Sequence, residues 1–169
     1  VTVAPSFPDY QFVVAGMDHI PGELYEKLTG SFPVRVINGK TYELLSVAEA
    51  ALVTSGTATL EAALFDVPQV VCYRTSAFTY SLASRIIKVR FISLVNLIMD
   101  RMVVTELVQG DLNTLKLHGE LSDILSTGYR HVSIRKDYER LRQILGGKGA
   151  SSRIASDMVE NLRQPHTDI

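Results

Sequence analysis

A repeated alternation of short apolar runs with helix-like stretches most limits the fold of this 169-residue chain. Four apolar runs, bounded by Gly, Pro, Asn or Ser, predict strands buried on both faces, at residues 11–15, 34–37, 51–54 and 69–73. Stretches between them suit helices, at residues 21–28, 41–49 and 57–65. This order requires parallel strands joined by right-handed crossovers. We therefore predict an α/β fold: an open parallel, Rossmann-like sheet with helices on both faces, whose ligands bind beyond the carboxyl ends of the strands.

Composition narrows the class of protein. Hydrophobic residues make up 46% of the chain, charged residues 21%, and the net charge is -1, as is typical of one globular domain with a real core. A nearly neutral charge excludes a strongly basic nucleic-acid binder. The single cysteine, Cys72, excludes an internal disulfide and a zinc cage of several thiolates, and it fits a reducing compartment. No apolar run approaches the roughly 18 residues that span a bilayer.

The second half of the chain is mainly helical in pattern. An amphipathic stretch at 77–88 precedes a short extended piece at 91–94, and a glycine-rich break at 146–149 separates two further helices. These helices are predicted at 132–145 and 150–162. The last one carries one apolar stripe of Ile154, Met158, Val159 and Leu162. An exposed stripe of this kind usually marks an interaction site, so we expect self-association or a frayed tail.

Residues 55–61, Ser-Gly-Thr-Ala-Thr-Leu-Glu, stand where the third predicted strand turns into a helix. Ser55 and Thr57 offer hydroxyls, Gly56 lets a ligand approach the backbone, and the free N–H groups of a helix start favour phosphate. Glu61 follows in the first turns, where its carboxylate could accept hydrogen bonds from both ribose hydroxyls. The alternative is structural: Ser55 or Thr57 as the N-cap, and Glu61 as a favourable charge near the positive helix end.

The residues that follow this motif resemble a known family. The Ser-Gly-Thr motif alone marks only the broad GT-B class of glycosyltransferases. Its combination with three further motifs is more specific: Tyr-Arg at 73–74, Phe-Thr at 78–79 and Ser-Leu-x-Asn-Leu at 93–97. Over residues 11–145 the chain is similar to the carboxyl-terminal part of the lipid-A-disaccharide synthase family.

The resemblance implies a glycosyltransferase of lipid A biosynthesis that needs no metal and no cofactor. In that family UDP-2,3-diacylglucosamine is joined to 2,3-diacylglucosamine 1-phosphate with release of UDP. UDP and the UDP-diacylglucosamine donor would be partners of this chain, and the acceptor would be bound by a further domain. The implied location is the cytoplasm, peripheral on the inner membrane face of a Gram-negative bacterium.

The resemblance also assigns residues to a UDP site. Ser55, Gly56 and Thr57 would meet the diphosphate, Glu61 the ribose, and Asn96 the donor sugar or the phosphates. Three more residues match family positions near the same cleft, without an individual role: Arg101, Glu106 and Gln109. Val95 stands where the family usually has proline, so the loop before Asn96 is expected to be less rigid.

Two departures from the family pattern bear on activity. The chain begins at Val1 without the features of a signal peptide, and we expect a cut that removes the family's first strand and its Pro-Gly-Ser-Arg phosphate loop. The acceptor domain, expected to carry the catalytic base, is also missing, so residues 1–169 alone should be inactive. We divide the chain into a partial UDP-sugar-binding domain at 1–145 and a carboxyl-terminal helical segment at 146–169, which would cross to the absent domain.

Several residues have both a functional and a structural interpretation. The stretch 77–88, flanked by Arg85, Lys88 and Arg90, could touch anionic lipid or could cover the sheet. Arg74 could bind a phosphate, but we favour a structural contact. The four histidines are too scattered for a metal site, and Cys72 is expected to be a small buried apolar residue.

Other function classes stay open at this point. The same fold could serve a non-catalytic module that binds nucleotide sugars or a lipid surface. It could also belong to another GT-B-like enzyme, such as a UDP-sugar epimerase. The stretch 93–96 together with Glu106 and Gln109 argues against the epimerase.

Overall fold

The computed structural model describes residues 2–54, 56–76, 90–146 and 149–163, which form a mixed α/β fold. The described strands are β1 (Phe12–Gly16), β2 (Val34–Asn38), β3 (Ala51–Val53), β4 (Gln69–Tyr73) and β5 (Thr105–Val108). The described helices are α1 (Gly22–Thr29), α2 (Thr41–Val47), α3 (Thr57–Leu64), α4 (Leu94–Met99), α5 (Thr114–Ile124), α6 (His131–Leu145) and α7 (Ala150–Arg163). Helix and strand alternate through β4, as the sequence predicts.

Local sequence explains where several helices begin and end. The Ser93 hydroxyl accepts a hydrogen bond from the Asn96 backbone at 3.2 Å and caps α4. The Asn113 side chain caps α5 in the same way, through the Lys116 N–H at 3.0 Å. Both residues belong to the small polar types that satisfy free amides at a helix start. Gly146 ends α6 with a φ of 77°, a backbone conformation that glycine adopts without strain.

All strand pairings in the described residues are parallel. β1 pairs with β2 from Phe12 opposite Val34 to Gly16 opposite Asn38. The other three strands pair in the order β3, β4, β5. The open parallel α/β class is confirmed. The expectation of one continuous sheet is corrected, because within the described ranges no ladder joins the two-stranded sheet to the three-stranded one.

Strand burial also differs from the sequence prediction. β4 is deeply buried at its start, where Gln69, Val70 and Val71 have no exposed surface. β1 and β2 instead alternate between inward and outward side chains, and Val13 and Ile37 are each 36% exposed. An apolar run therefore predicted these strands correctly, but their burial on both faces was wrong.

The main core lies where the three-stranded sheet meets α5 and α6. Its fully buried side chains include Val70, Val71, Val95, Val104, Tyr138 and Leu141. Gln69 is a polar residue inside this core, and its Nε2 donates to the Thr59 carbonyl at 2.8 Å and to the Tyr138 hydroxyl at 3.1 Å. Burial raises the pKa of Tyr138 well above its ordinary range. The Gln69 side chain therefore connects the buried strand to α3 and α6 by hydrogen bonds.

Two predictions about the middle of the chain were incomplete. β5 was not predicted, because Thr105–Val108 is only four residues long and has Glu106 inside it. Residues 91–94 were predicted to be extended, but Leu94 already belongs to α4 and Ser93 forms only an isolated bridge. Ends of the other predicted elements that the structure describes agree within two residues. The amphipathic stretch at 77–88 lies outside the described residues.

The carboxyl-terminal helix α7 shows uncovered apolar side chains. Ile154, Met158 and Val159 are 55%, 62% and 46% exposed. The division of the chain at 145–146 stays a prediction. None of the helices in the described part of the chain has the length and hydropathy of a membrane span.

Replacement of Tyr138 by Phe should lower the free energy of unfolding by about 1 kcal/mol, because the buried Gln69 amide loses one of its two partners. Tyr42→Phe changes a largely exposed ring and is the matched control, expected within about 0.5 kcal/mol of wild type. Urea unfolding followed by circular dichroism measures both. Equal losses would show that the Tyr138 hydroxyl makes no stabilising contact.

Deletion of residues 150–169 should convert a self-associating chain into a monomer, because it removes the exposed stripe of α7. Light scattering of the two forms measures this mass difference. A monomer in both, with α7 ordered against its own domain, would place the stripe in the local core and contradict the prediction.

Candidate functional site

The candidate site lies at one edge of the three-stranded sheet. Gly56 follows β3, Thr75 follows β4 and Gln109 follows β5. The carboxyl ends of parallel strands meet at the same edge, which is where open α/β sheets bind ligands. The topology therefore brings three loops, each with polar residues, to one place.

Gly56 sets the geometry of the first loop. It has a φ of 73° and is the N-cap of α3, which begins at Thr57. Gly56 stands at the N-cap in place of Thr57, and no side-chain bond among the described residues caps this helix. The Gly56 carbonyl accepts from the Thr59 N–H at 3.2 Å and from its hydroxyl at 2.8 Å. The first turn can therefore receive an anion. Ser55 lies outside the described residues.

A β-carbon at position 56 would have open space around it. Glycine is required there by the positive φ alone, because a side chain strains a backbone in this region. Gly56 also forms an isolated parallel bridge with Ser93. The loop after β3 is therefore held by the segment that precedes α4.

Glu61 lies in the second turn of α3, half-buried. Within the described ranges its carboxylate has no hydrogen-bond or ion-pair partner. It lines a cleft of about 330 Å³. The other lining residues are Gly39, Thr41, Tyr42 and Glu43, from the loop after β2 and the start of α2. An unpartnered acceptor beside an open cleft can receive hydroxyl donors from a ligand.

Asn96 is placed differently from the expectation that it meets a donor sugar or phosphates. Its side chain has no exposed surface. Oδ1 accepts from the backbone N–H groups of Val103 at 2.7 Å and Val104 at 3.0 Å. Nδ2 donates to the Val104 carbonyl and to a Glu106 carboxylate oxygen, both at 2.8 Å. The geometry therefore gives Asn96 a positioning role, and ligand contact by Asn96 stays a prediction.

Two arginines that the sequence offered as candidates are engaged by the protein. Arg101, expected near the cleft, forms an ion pair with Asp137 of α6 and does not join the Gly56 loop. Arg74 donates from Nη2 to the carbonyls of Leu112 at 2.8 Å and Gln109 at 3.4 Å. The structural interpretation of Arg74 is thus supported, with backbone carbonyl oxygens as its partners.

Gln109 has a strained backbone conformation at this edge of the sheet. Its φ is 52°, in the left-handed region that non-glycine residues rarely adopt. Its Oε1 accepts from the Thr75 N–H at 3.3 Å, and its buried Nε2 has no partner among the described residues. Gln109 therefore joins the loops after β4 and β5 and leaves both N–H donors of its amide unused.

No group of His, Cys, Asp and Glu suited to a metal ion occurs among the described residues. Two histidines have structural roles: His118 stacks on Phe7, and the His131 ring bonds the Ile124 carbonyl at 2.9 Å. Burial raises the pKa of the Cys72 thiol from its ordinary value of 9.0 to about 11. Cys72 is half-buried, less than was predicted, and its raised pKa keeps the thiol uncharged, as suits a small apolar residue.

The structure brings some of the predicted site residues together and places Arg101 apart from them, in its ion pair with Asp137. Gly56 and Thr57 share the start of α3 with Glu61, and Asn96 contacts Glu106 directly. Two features were missed. Ser93 is the backbone partner of Gly56, and its place in the Ser-Leu-x-Asn motif was the available signal. The Gly39–Tyr42 side of the cleft was signalled only by Asn-Gly after a strand.

The fold and the site together define an open parallel α/β domain whose candidate binding residues gather at the carboxyl ends of its strands. The sequence profile of the lipid-A-disaccharide synthetase family matches residues 6–160. The chain therefore belongs to the lipid-A-disaccharide synthetase family. This assignment favours the synthase hypothesis over the epimerase alternative.

Curated relatives agree with this assignment. The chain is 41% identical to the lipid-A-disaccharide synthase of Syntrophus aciditrophicus (strain SB) over 122 residues, 72% of this chain and 32% of the relative. It is 34% identical to that of Anaeromyxobacter sp. (strain K) over 159 residues, 92% of this chain and 42% of the relative. For that of Sulfurihydrogenibium sp. (strain YO3AOP1) the identity is 30%, with 93% and 43% covered. The chain thus spans less than half the length of these relatives.

The Cys72 thiol should react slowly. Because its pKa lies about two units above the ordinary 9.0, its thiolate fraction at pH 8 is about 100-fold smaller than that of an exposed thiol. A disulfide reagent whose thiolate product is coloured should therefore label the native chain about 100-fold more slowly than the urea-unfolded chain. The labelling rate of the native chain should rise with pH up to about 11. Equal rates in the two states would contradict the burial of Cys72.

Proposed function

We propose that this chain is the UDP-sugar-binding part of a lipid-A-disaccharide synthase. One observation carries the proposal: in a chain of this family, the uncapped first turn of α3 and the unpartnered carboxylate of Glu61 lie on the same short helix. An anion at that helix start and a pair of hydroxyls at the carboxylate are the two parts of a nucleoside diphosphate.

The residues divide into those that touch the ligand and those that hold the loop. The first-turn amides and the Thr57 hydroxyl bind the diphosphate, with Gly56 giving close access and Ser55 keeping its predicted role. Glu61 accepts hydrogen bonds from the ribose hydroxyls. Asn96 is fully buried and holds α4 against the turn at Val103 and Val104. Such a division is usual where a binding loop needs rigid support.

The proposed reaction belongs to the longer protein. UDP-2,3-diacylglucosamine and 2,3-diacylglucosamine 1-phosphate are the substrates. The acceptor hydroxyl oxygen forms the new bond to the anomeric carbon, and UDP leaves with the electron pair of the broken carbon–oxygen bond. The hydroxyl proton passes to a base on a domain that residues 1–169 do not contain. The negative charge that develops on the leaving diphosphate is what the α3 amides stabilise.

The location and the assembly are part of the same proposal. Acylated substrates require an enzyme that works at a lipid surface, so we place the longer protein at the cytoplasmic face of the inner membrane of a Gram-negative bacterium. The exposed stripe of α7 supports a homo-oligomer. The stretch at 77–88 keeps its two alternatives, contact with anionic lipid or cover for the sheet.

Titration calorimetry with UDP tests the proposed site. Wild type should bind UDP, and Glu61→Gln should weaken UDP binding about tenfold or more, because hydrogen bonds to an ionised acceptor are lost. Binding of inorganic diphosphate, which has no ribose, should change less than about twofold. Failure of wild type to bind UDP would contradict the proposed function.

Glu43→Gln is the matched control. Glu43 lines the same cleft, but its carboxylate pairs with Lys40 at 3.1 Å on the surface. Its substitution removes the same charge from the cleft and should leave UDP affinity nearly unchanged. Equal weakening of UDP and diphosphate by Glu61→Gln would remove the ribose role from Glu61.

A further inference from the structure

Within the part of the chain that the structure describes, the side chain of Glu106 in β5 forms hydrogen bonds only to the 92–96 segment. Its Oε2 accepts from the Ile92 N–H at 2.9 Å, and its Oε1 accepts from the Ser93 N–H at 2.9 Å. Oε1 also accepts from the Asn96 side chain at 2.8 Å. Among the described residues no lysine or arginine pairs with this carboxylate. Three N–H donors of the 92–96 segment therefore stabilise its charge.

The loop that Glu106 holds is the one that contacts the candidate site. Ser93 forms the parallel backbone bridge to Gly56. Gly56 is the N-cap of α3, so its position sets where the first-turn amides point. The bonds thus run from the Glu106 carboxylate to the Ser93 backbone and on to Gly56, across three segments that are distant in sequence.

We propose that Glu106 is a positioning residue of the UDP site. It fixes the Ser93 segment, and this segment fixes the Gly56 loop in the shape that receives a diphosphate. The inference rests on the proposed function for the identity of the ligand, but not for the order of the loop. Glu106 does not touch the ligand, since all of its bonds are made to the protein.

The chemistry of the site explains why the residue is a glutamate. A carboxylate presents acceptors only, whereas a glutamine presents one acceptor and one NH₂ donor. In Glu106→Gln the NH₂ group would face at least one N–H donor of Ile92, Ser93 or Asn96. An aspartate keeps both oxygens but is one methylene shorter, so it would retain part of the network. The expected order of loop stability is therefore wild type, Glu106→Asp, Glu106→Gln.

Three measurements on each variant test the proposal: the dissociation constant of UDP, the midpoint of thermal unfolding, and hydrogen exchange of residues 56–59 without ligand. Glu106→Gln should weaken UDP about tenfold or more, the size of effect seen when a supporting partner is lost from a binding site. It should also speed exchange at Gly56 to Thr59. Glu106→Asp should restore part of both properties.

Glu120→Gln is the matched control. Glu120 is a half-buried carboxylate that contacts the first residue of β5, through the Thr105 hydroxyl at 2.5 Å, and pairs with Arg130 at 2.7 Å. Its substitution should lower the unfolding midpoint through the loss of this ion pair, while UDP affinity and exchange at residues 56–59 stay near those of wild type. The control separates loss of general stability from loss of loop position.

The outcomes are distinguishable. If both glutamine variants weaken UDP in proportion to their loss of stability, Glu106 is only structural and the proposal is overturned. If Glu106→Gln does not fold, unchanged exchange at residues 56–59 in Glu106→Asp also overturns it. If wild type does not bind UDP but exchange at residues 56–59 responds only to changes at Glu106, the proposed function fails and the positioning role stands.

Discussion

Strand β4 is the element on which the rest of the structure depends, because it is the one described strand that pairs on both sides. Burial of its valines contributes about 1.5–3 kcal/mol each. The same burial favours hydrogen-bond partners for the Gln69 amide inside the core, since an unbonded polar atom there costs free energy. Its Nε2 finds them on α3 and α6, whereas its Oε1 has no partner among the described residues. The bond to Thr59 is in the first turn of α3, so the position of the candidate anion site follows from the burial of this strand.

A second group of buried polar atoms shapes the other side of the site edge. Both polar atoms of the Asn96 amide bond to the turn before β5. Without the Asn96 amide, several backbone groups of this turn would have no hydrogen-bond partner. The loops at this edge are therefore held by directional bonds more than by apolar packing. Directional bonds define a single arrangement, which a binding surface for a charged ligand needs.

The sequence predicts the elements better than their environment. Apolar runs located β2 and β4, and a serine, glycine and threonine after a strand located the start of α3, because these signals are local. Local signals could not show that Asn96 is saturated by the protein, since its partners Val103 and Val104 come from the turn before β5. β5 itself was missed because Glu106 breaks the apolar pattern, and this half-buried glutamate makes its hydrogen bonds to the 92–96 segment. The separation into two sheets likewise depends on tertiary pairing.

The contact between Gln69 and Tyr138 joins residues that are 69 positions apart. A ribosome adds roughly 5–20 residues per second, so roughly 3–14 s pass between the synthesis of these two residues. β5, the second neighbour of β4, begins only at Thr105. Until Thr105–Val108 has been made, the nascent chain carries Val70 and Val71 beside an open strand edge, which is the kind of segment that associates with other chains. The edge of β4 is therefore exposed to such association before its partners in the core are synthesised.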